Sequence, residues 1–236
     1  MCRIMAIAPA PSRPIDSEII RSFRYLAVYG KVKLGASSGH PDGWGIVSWL
    51  NDKPTYLGRE PTDAVKDPKF DAACDRIDQL KIEAPIIAHL RKASRGTKTK
   101  ENTHPFVKGV WAFAHNGVIR RAKLRSRTDS EWFFEALFEE IDRTGGDLRK
   151  ALSMLVKSVH EVYNYSSLTF VLSNGHELFA YRDYSNFEDY YTMYFAKTAS
   201  GLVVSQERFF DASWHELANH ELLEVGKELT VTVQSL

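Results

Sequence analysis

Cysteine is scarce in this chain: only Cys2 and Cys74 occur among 236 residues. Two thiols exclude a disulfide-stapled scaffold and a four-thiolate metal site, and they make the reducing cytoplasm the expected compartment. Long apolar runs are also missing, with no stretch near the roughly 20 residues of a membrane span. No signal peptide is expected either, because APAPSRPID interrupts the opening run almost at once. Charge of one sign is absent: 31 Lys and Arg face 30 Asp and Glu, a formal net charge of +1. That balance offers no footprint for nucleic acid or an anionic membrane, so neither is an expected partner. Repeats, low-complexity tracts and linkers are absent as well, which leaves one α+β domain over residues 1–236.

The pattern along the chain alternates strands with two blocks of helix. Residues 2–8 read as a strand, and DSEIIRSFRYLAVYG sets Ile19, Ile20, Phe23, Leu26 and Ala27 on one helical face. Asp16 or Ser17 is the expected cap of that helix and Gly30 its stop. IVSWL, NDKP and TYLGR spell a hairpin. KFDAACDRIDQLKI spaces Phe70, Ala73, Cys74, Ile77 and Leu80 helically, which buries Cys74 as an inert small hydrophobe. APIIAHL is a short buried strand, followed by a long polar loop and the strand GVWAFAHNG. A structureless loop of that length between core strands is uncommon unless it has a function. Helices are expected at about 129–142 and 147–163, the second carrying Leu148, Leu152, Leu155, Val159 and Val162 as a stripe. SSLTFVLSNG, HELFAYRD, YYTMYFAKT, GLVVSQ and ELTVTVQ are further strands, with a hairpin turn at SNGHE.

Four places carry chemistry, each with a plainer structural alternative. Cys2 follows the initiator directly, and a small residue there favours removal of Met1. A thiol and an α-amino group would then share one carbon, and an amine of pKa near 7.7–8 can serve as base for its own side chain. The alternative is a small apolar strand residue. Arg91, just past a strand end, presents a fork suited to a carboxylate; the alternative is a solvated basic loop with Lys92, Arg95, Lys98 and Lys100. Asn116 and Gly117 in FAHNGVI form either a hairpin turn or an oxyanion hole, from an Asn side-chain N–H beside a Gly backbone N–H. Asp129 is an apt helix N-cap, or an acceptor for a substrate ammonium group.

As a set, Cys2, HPDGWGI, HLRKASRG, ENTHPF, AHNG and TDSE stand in the order found in a known family. The chain resembles the class II glutamine amidotransferases, which are N-terminal-nucleophile hydrolases, and is most similar to small stand-alone bacterial members of the YafJ type. The resemblance implies a four-layer αββα sandwich of two stacked antiparallel sheets covered by helices. It implies that Cys2, freed of Met1, attacks the side-chain amide of glutamine, forms a γ-glutamyl thioester and releases ammonia. Arg91 would hold the α-carboxylate and Asp129 the α-amino group, while Asn116 and Gly117 would stabilise the oxyanion. Ser94 falls near the substrate, His104 is a secondary candidate in the pocket wall, and Asp42 and Gly43 shape a turn beneath the site.

The chain departs from the family at Arg3, where many members have glycine, and at Arg95, where synthase-linked members have histidine. No cofactor and no metal are expected, since His89, His104 and His115 match no ligand spacing. RRAKLRSR reads as a solvated surface. The expected partner is glutamine or a γ-glutamyl compound, and an ammonia acceptor would be a separate protein. Two alternatives remain open: hydrolysis of another γ-glutamyl amide or peptide in thiol metabolism, and a catalytically silent regulatory subunit that keeps the fold.

Overall fold

Alternating apolar residues and capped helical segments produce fifteen strands and five α-helices among the described residues of a computed structural model, which are 2–94, 96–120 and 127–236. Met1, Arg95 and most of RRAKLRSR lie outside the described residues. In chain order the elements are β1 (Arg3–Pro9), α1 (Ser17–Arg24), α2 (Leu26–Tyr29), β2 (Gly43–Leu50), β3 (Lys53–Glu60), α3 (Pro68–Leu80) and β4 (Ile86–Arg91). Next come β5 (Phe106–Lys108), β6 (Trp111–Asn116), β7 (Ile119–Arg120), α4 (Asp129–Arg143), α5 (Leu148–Val162), β8 (Asn164–Tyr165) and β9 (Thr169–Ser173). The chain closes with β10 (Leu178–Arg182), β11 (Tyr194–Thr198), β12 (Gly201–Ser205), β13 (His215–Glu216), β14 (Glu221–Val225) and β15 (Val231–Ser235).

Short polar side chains set the helix starts. Asp16, Asp67 and Asp147 each accept a backbone N–H of the first turn they cap. The β2–β3 hairpin turns on Asn51 and Asp52 at φ 51° and 60°, both left-handed, which matches the twist of the flanking strands. Leu80 and Val162, expected on the buried stripes of α3 and α5, lie exposed in the last turns. No described helix is long and apolar enough to cross a membrane.

Thirteen of the fifteen strands described assemble into a seven-stranded sheet, β13-β11-β12-β1-β4-β2-β3, and a six-stranded sheet, β15-β14-β10-β9-β6-β5, while β7 and β8 pair separately. Side chains of β1 alternate between two environments, as strand geometry requires. Met5 and Ile7 pack outward with Ile20, Phe23, Phe70, Cys74 and Ile77 of α1 and α3. Ile4, Ala6 and Ala8 pack inward against Ala112, Ala114, Val171 and Ala180 of the facing sheet. On the far side of that sheet, Phe113, Phe170 and Leu172 meet Phe133, Phe134, Leu152 and Val159 of α4 and α5. Three apolar interfaces therefore separate four layers, and the expected αββα sandwich is the observed one.

Candidate active site

Register decides what lies beside Cys2. β1 and β4 run antiparallel with Arg3 opposite Leu90, so the residue ahead of β1 sits next to Arg91, the last residue of β4. From the other sheet, β6 ends at Asn116. Asn116 clasps Cys2 across the layers: its Oδ1 accepts from the Cys2 backbone nitrogen at 3.0 Å, and its Nδ2 donates to Cys2 O at 2.9 Å. The thiol lies 3.8 Å from Lys92 O. Cys2, Arg91, Ser94, His104, Asn116, Gly117 and Asp129, all singled out from the sequence, line one narrow cleft. Its volume is about 30 Å³, room for about one water. Two far larger hollows, about 630 and 670 Å³, contain none of these residues.

Arg91 is buried and donates through Nη1 to Thr97 O at 3.0 Å. Burial lowers its guanidinium from the ordinary value, while Cys2 and Asp42 pull the other way. Asp42 lies just ahead of β2, and Gly43, expected in a turn with it, opens that strand instead. The Asp42 carboxylate accepts from Ala93 N at 2.9 Å and pairs with Lys98 at 2.6 Å, and its own N–H donates to Arg91 O. Burial raises the Asp42 carboxyl, but Lys98 and the Ala93 N–H outweigh that and hold it below its usual range.

Asp129 is not the N-cap. Thr128 caps α4, its hydroxyl accepting from Glu131 N at 3.1 Å. Asp129 is thereby turned into the cleft, where it accepts from Ile119 N at 2.7 Å. Nor is Asn-Gly a hairpin turn: Asn116 ends a strand, and Gly117 is glycine for lack of space, since a Cβ there would lie 1.9 Å from Ser167 O. Among the described residues nothing accepts from the Gly117 N–H.

Three buried histidines back the cleft. His104 Nδ1 and His89 Nε2 share a hydrogen bond at 3.0 Å, and the remaining ring nitrogen of each is buried without a partner among the described residues. His115 faces Ser130 Oγ at 2.8 Å and donates from Nε2 to Ser167 O at 3.1 Å. Burial holds His89 and His104 well below the ordinary imidazole value, helped by neighbouring positive charge. Burial also lowers His115, although Asp129 opposes it. Among the described residues the three rings do not gather as a ligand set.

Residues beyond the sequence reading complete the shell. Arg3, fully buried, donates to Cys2 O at 2.9 Å, pairs with Glu207 and lies 4.4 Å from the centre of the Tyr190 ring. The Tyr190 hydroxyl is also 3.4 Å from Cys2 O, and Gln206 Oε1 accepts from Asn116 Nδ2 at 3.1 Å. Arg3 was visible only as a departure from glycine. Glu207, Tyr190 and Gln206 carry no local signal that would place them at the other end of the chain.

The layered fold is shared with the glutamine phosphoribosylpyrophosphate amidotransferase of B. subtilis, at a TM-score of 0.64 and 15% identity over 100% of this chain and 49% of that one. The profile of the class II glutamine amidotransferases matches residues 1–223, and the chain belongs to that family. It is 27% identical over 200 residues to YafJ of Escherichia coli, covering 77% of this chain and 72% of YafJ. It is 28% identical over 196 residues to the gamma-glutamyl-hercynylcysteine sulfoxide hydrolase of Mycobacterium tuberculosis, covering 81% and 78% of the two chains. Of two further relatives it spans about half the length, 44% and 54%. A glutamine aminotransferase class-II domain protein from Silicibacter pomeroyi superposes with a TM-score of 0.65 at 19% identity, over 100% of this chain and 99% of that one.

Proposed function

We propose that the protein, as one glutaminase domain, hydrolyses the side-chain amide of glutamine or passes its ammonia to a separate protein. The observation that carries this reading is the Asn116 clasp, which holds the Cys2 backbone nitrogen at the mouth of a cleft also lined by Arg91 and Asp129. With Met1 removed, that nitrogen is an α-amine whose N–H is oriented by Asn116 Oδ1 and whose lone pair takes the thiol proton. The thiolate adds to the amide carbon as the carbonyl pair moves onto oxygen. The Gly117 N–H is the free donor for that oxygen, and Asn116 Nδ2 joins it by releasing Gln206 or Cys2 O. The α-ammonium returns its proton to the leaving nitrogen, the C–N bond breaks, and ammonia departs. Water then attacks the γ-glutamyl thioester, with the α-amine as base, giving glutamate and the free thiol. Arg91 holds the α-carboxylate and Asp129 the α-ammonium of the substrate. Ser94 and the unpartnered His104 Nε2 contact it from the cleft wall.

A second reading keeps this chemistry and changes the leaving group to the amine of a larger γ-glutamyl compound. It is favoured by the similarity to the Mycobacterium tuberculosis hydrolase over 81% of this chain. Ammonia and glutamate release from glutamine, compared with hydrolysis of γ-glutamyl peptides by the Met1-free protein, separates the two. Faster turnover of glutamine supports the first reading, and preference for the peptides supports the second. No turnover of either, with Met1 removed and Cys2 intact, sinks both in favour of a silent regulatory subunit.

A further inference from the structure

His160, Asp183 and His220 take no part in the chemistry above, yet three separate elements converge to bring them together. His160 comes from the last turn of α5, Asp183 follows β10, and His220 precedes β14. One ligand atom from each lies within 4.8 Å of the others. His160 Nε2 is 2.6 Å from Asp183 Oδ2, and His220 Nδ1 is 3.7 Å from Asp183 Oδ1. The Asp183 side chain has no exposed surface, whereas the imidazoles reach solvent at 31% and 45%. Among the described residues no lysine or arginine pairs with this carboxylate; its ion partners are the two histidines. A carboxylate this buried needs polar partners, and the two imidazoles and the Tyr165 hydroxyl are those the fold brings to it.

We propose that His160, Asp183 and His220 form a binding site for a divalent transition-metal ion of the zinc type. Two imidazole nitrogens and one carboxylate oxygen suit zinc or cobalt, whereas magnesium and calcium take oxygen ligands almost throughout. Solvent exposure of both rings leaves the remaining coordination position to water. Tyr165 donates its hydroxyl to Asp183 Oδ1 at 3.1 Å, which orients the carboxylate as outer partners of metal ligands do. His160 also stacks on the Tyr165 ring at 5.1 Å, so its direction is fixed by packing. Binding displaces the ring protons that point at Asp183. The His220 proton then moves to Nε2, so the 3.2 Å contact between Nε2 and Asn219 Nδ2 must open. The ion would fasten α5 to the ends of β10 and β14 and act as a clip, without touching substrate.

The test uses the full chain, stripped with a chelator and titrated with cobalt(II). The expected result is one ion per chain, a visible ligand-field spectrum without a sulfur-to-metal charge-transfer band, and a raised Tm. His220→Ala removes an exposed ligand and is expected to weaken binding at least about 100-fold. His160→Gln serves as a second variant should the first misfold. Saturation unchanged in both variants, a charge-transfer band that places the ion on Cys2, or no cobalt retained by the wild-type chain overturns the proposal.

Discussion

Arg3 sits one residue behind the thiol, is wholly buried, and spends one N–H on Cys2 O while Glu207 balances its charge. Arg3 thereby fixes the carbonyl of the residue that carries the nucleophile. Arg3→Met is therefore expected to lower kcat about tenfold with KM little changed, and Arg3→Lys, which keeps the charge but lacks the fork, should recover only part of the loss. Wild-type kcat in the Met variant would remove Arg3 from catalysis. Gly117 makes a harder demand, because even a methyl group there meets Ser167 O at 1.9 Å. Gly117→Ala must displace the backbone whose N–H faces the oxyanion, and a loss of about 10²–10³ in kcat is expected from steady-state assay. At this scale the sequence exposed the groups whose chemistry is unusual in itself: a cysteine at position 2, an Asn-Gly pair, an arginine at a strand end. It hid Glu207, which pairs with Arg3 across 204 residues and whose role exists only after the sheet has formed.

Elements place these groups, and their ends matter more than their middles. The loop after β4 hangs on Asp42, through Ala93 N and Lys98. Asp42→Ala is expected to raise KM roughly tenfold with kcat little changed, since one charge-assisted hydrogen bond holding the Arg91 region is lost from ground and transition states alike. Steady-state kinetics checks the split, and a pure kcat effect would contradict it. Thr128 holds the start of α4 and so the aim of Asp129. Thr128→Ala should cost about 1 kcal/mol in urea unfolding. Helices were legible because their caps are local: Asp16, Asp67 and Asp147 lie where the pattern starts. Thr128 and Asp129 are both good caps, and only the Ile119 N–H that claims Asp129 resolves them. Strand β14 escaped notice because ELLEV has no alternation; it is covered by β10 on one edge and β15 on the other.

At the scale of the whole molecule, the sandwich carries a titration that follows from where it buries histidine. His89 and His104 are held below the ordinary value of 6.5 by burial, so they stay neutral when folded. Below that pH the unfolded chain binds more protons than the folded one. Stability is therefore complete above about pH 6.5 and falls as the pH drops, by up to about 1.4 kcal/mol per unit for each ring. Denaturant unfolding at pH 7 and pH 5 measures this, and His104→Gln should make the slope shallower. Many single strands were legible from their apolar runs, and the two stacked sheets only from the family resemblance; the register that sets Cys2 beside Arg91 was not, because pairing partners leave no mark in a single sequence. The burial that silences the second thiol is equally global: it pushes Cys74 up to about 12. The most direct test of the account is intact-mass analysis of the protein treated with a diazoketone analogue of glutamine. The expected product is a chain lacking Met1 that gains one adduct, on Cys2, with Cys74 untouched and Cys2→Ser unlabelled. A Met1-free chain that stays unlabelled, or one labelled on Cys74, would contradict it.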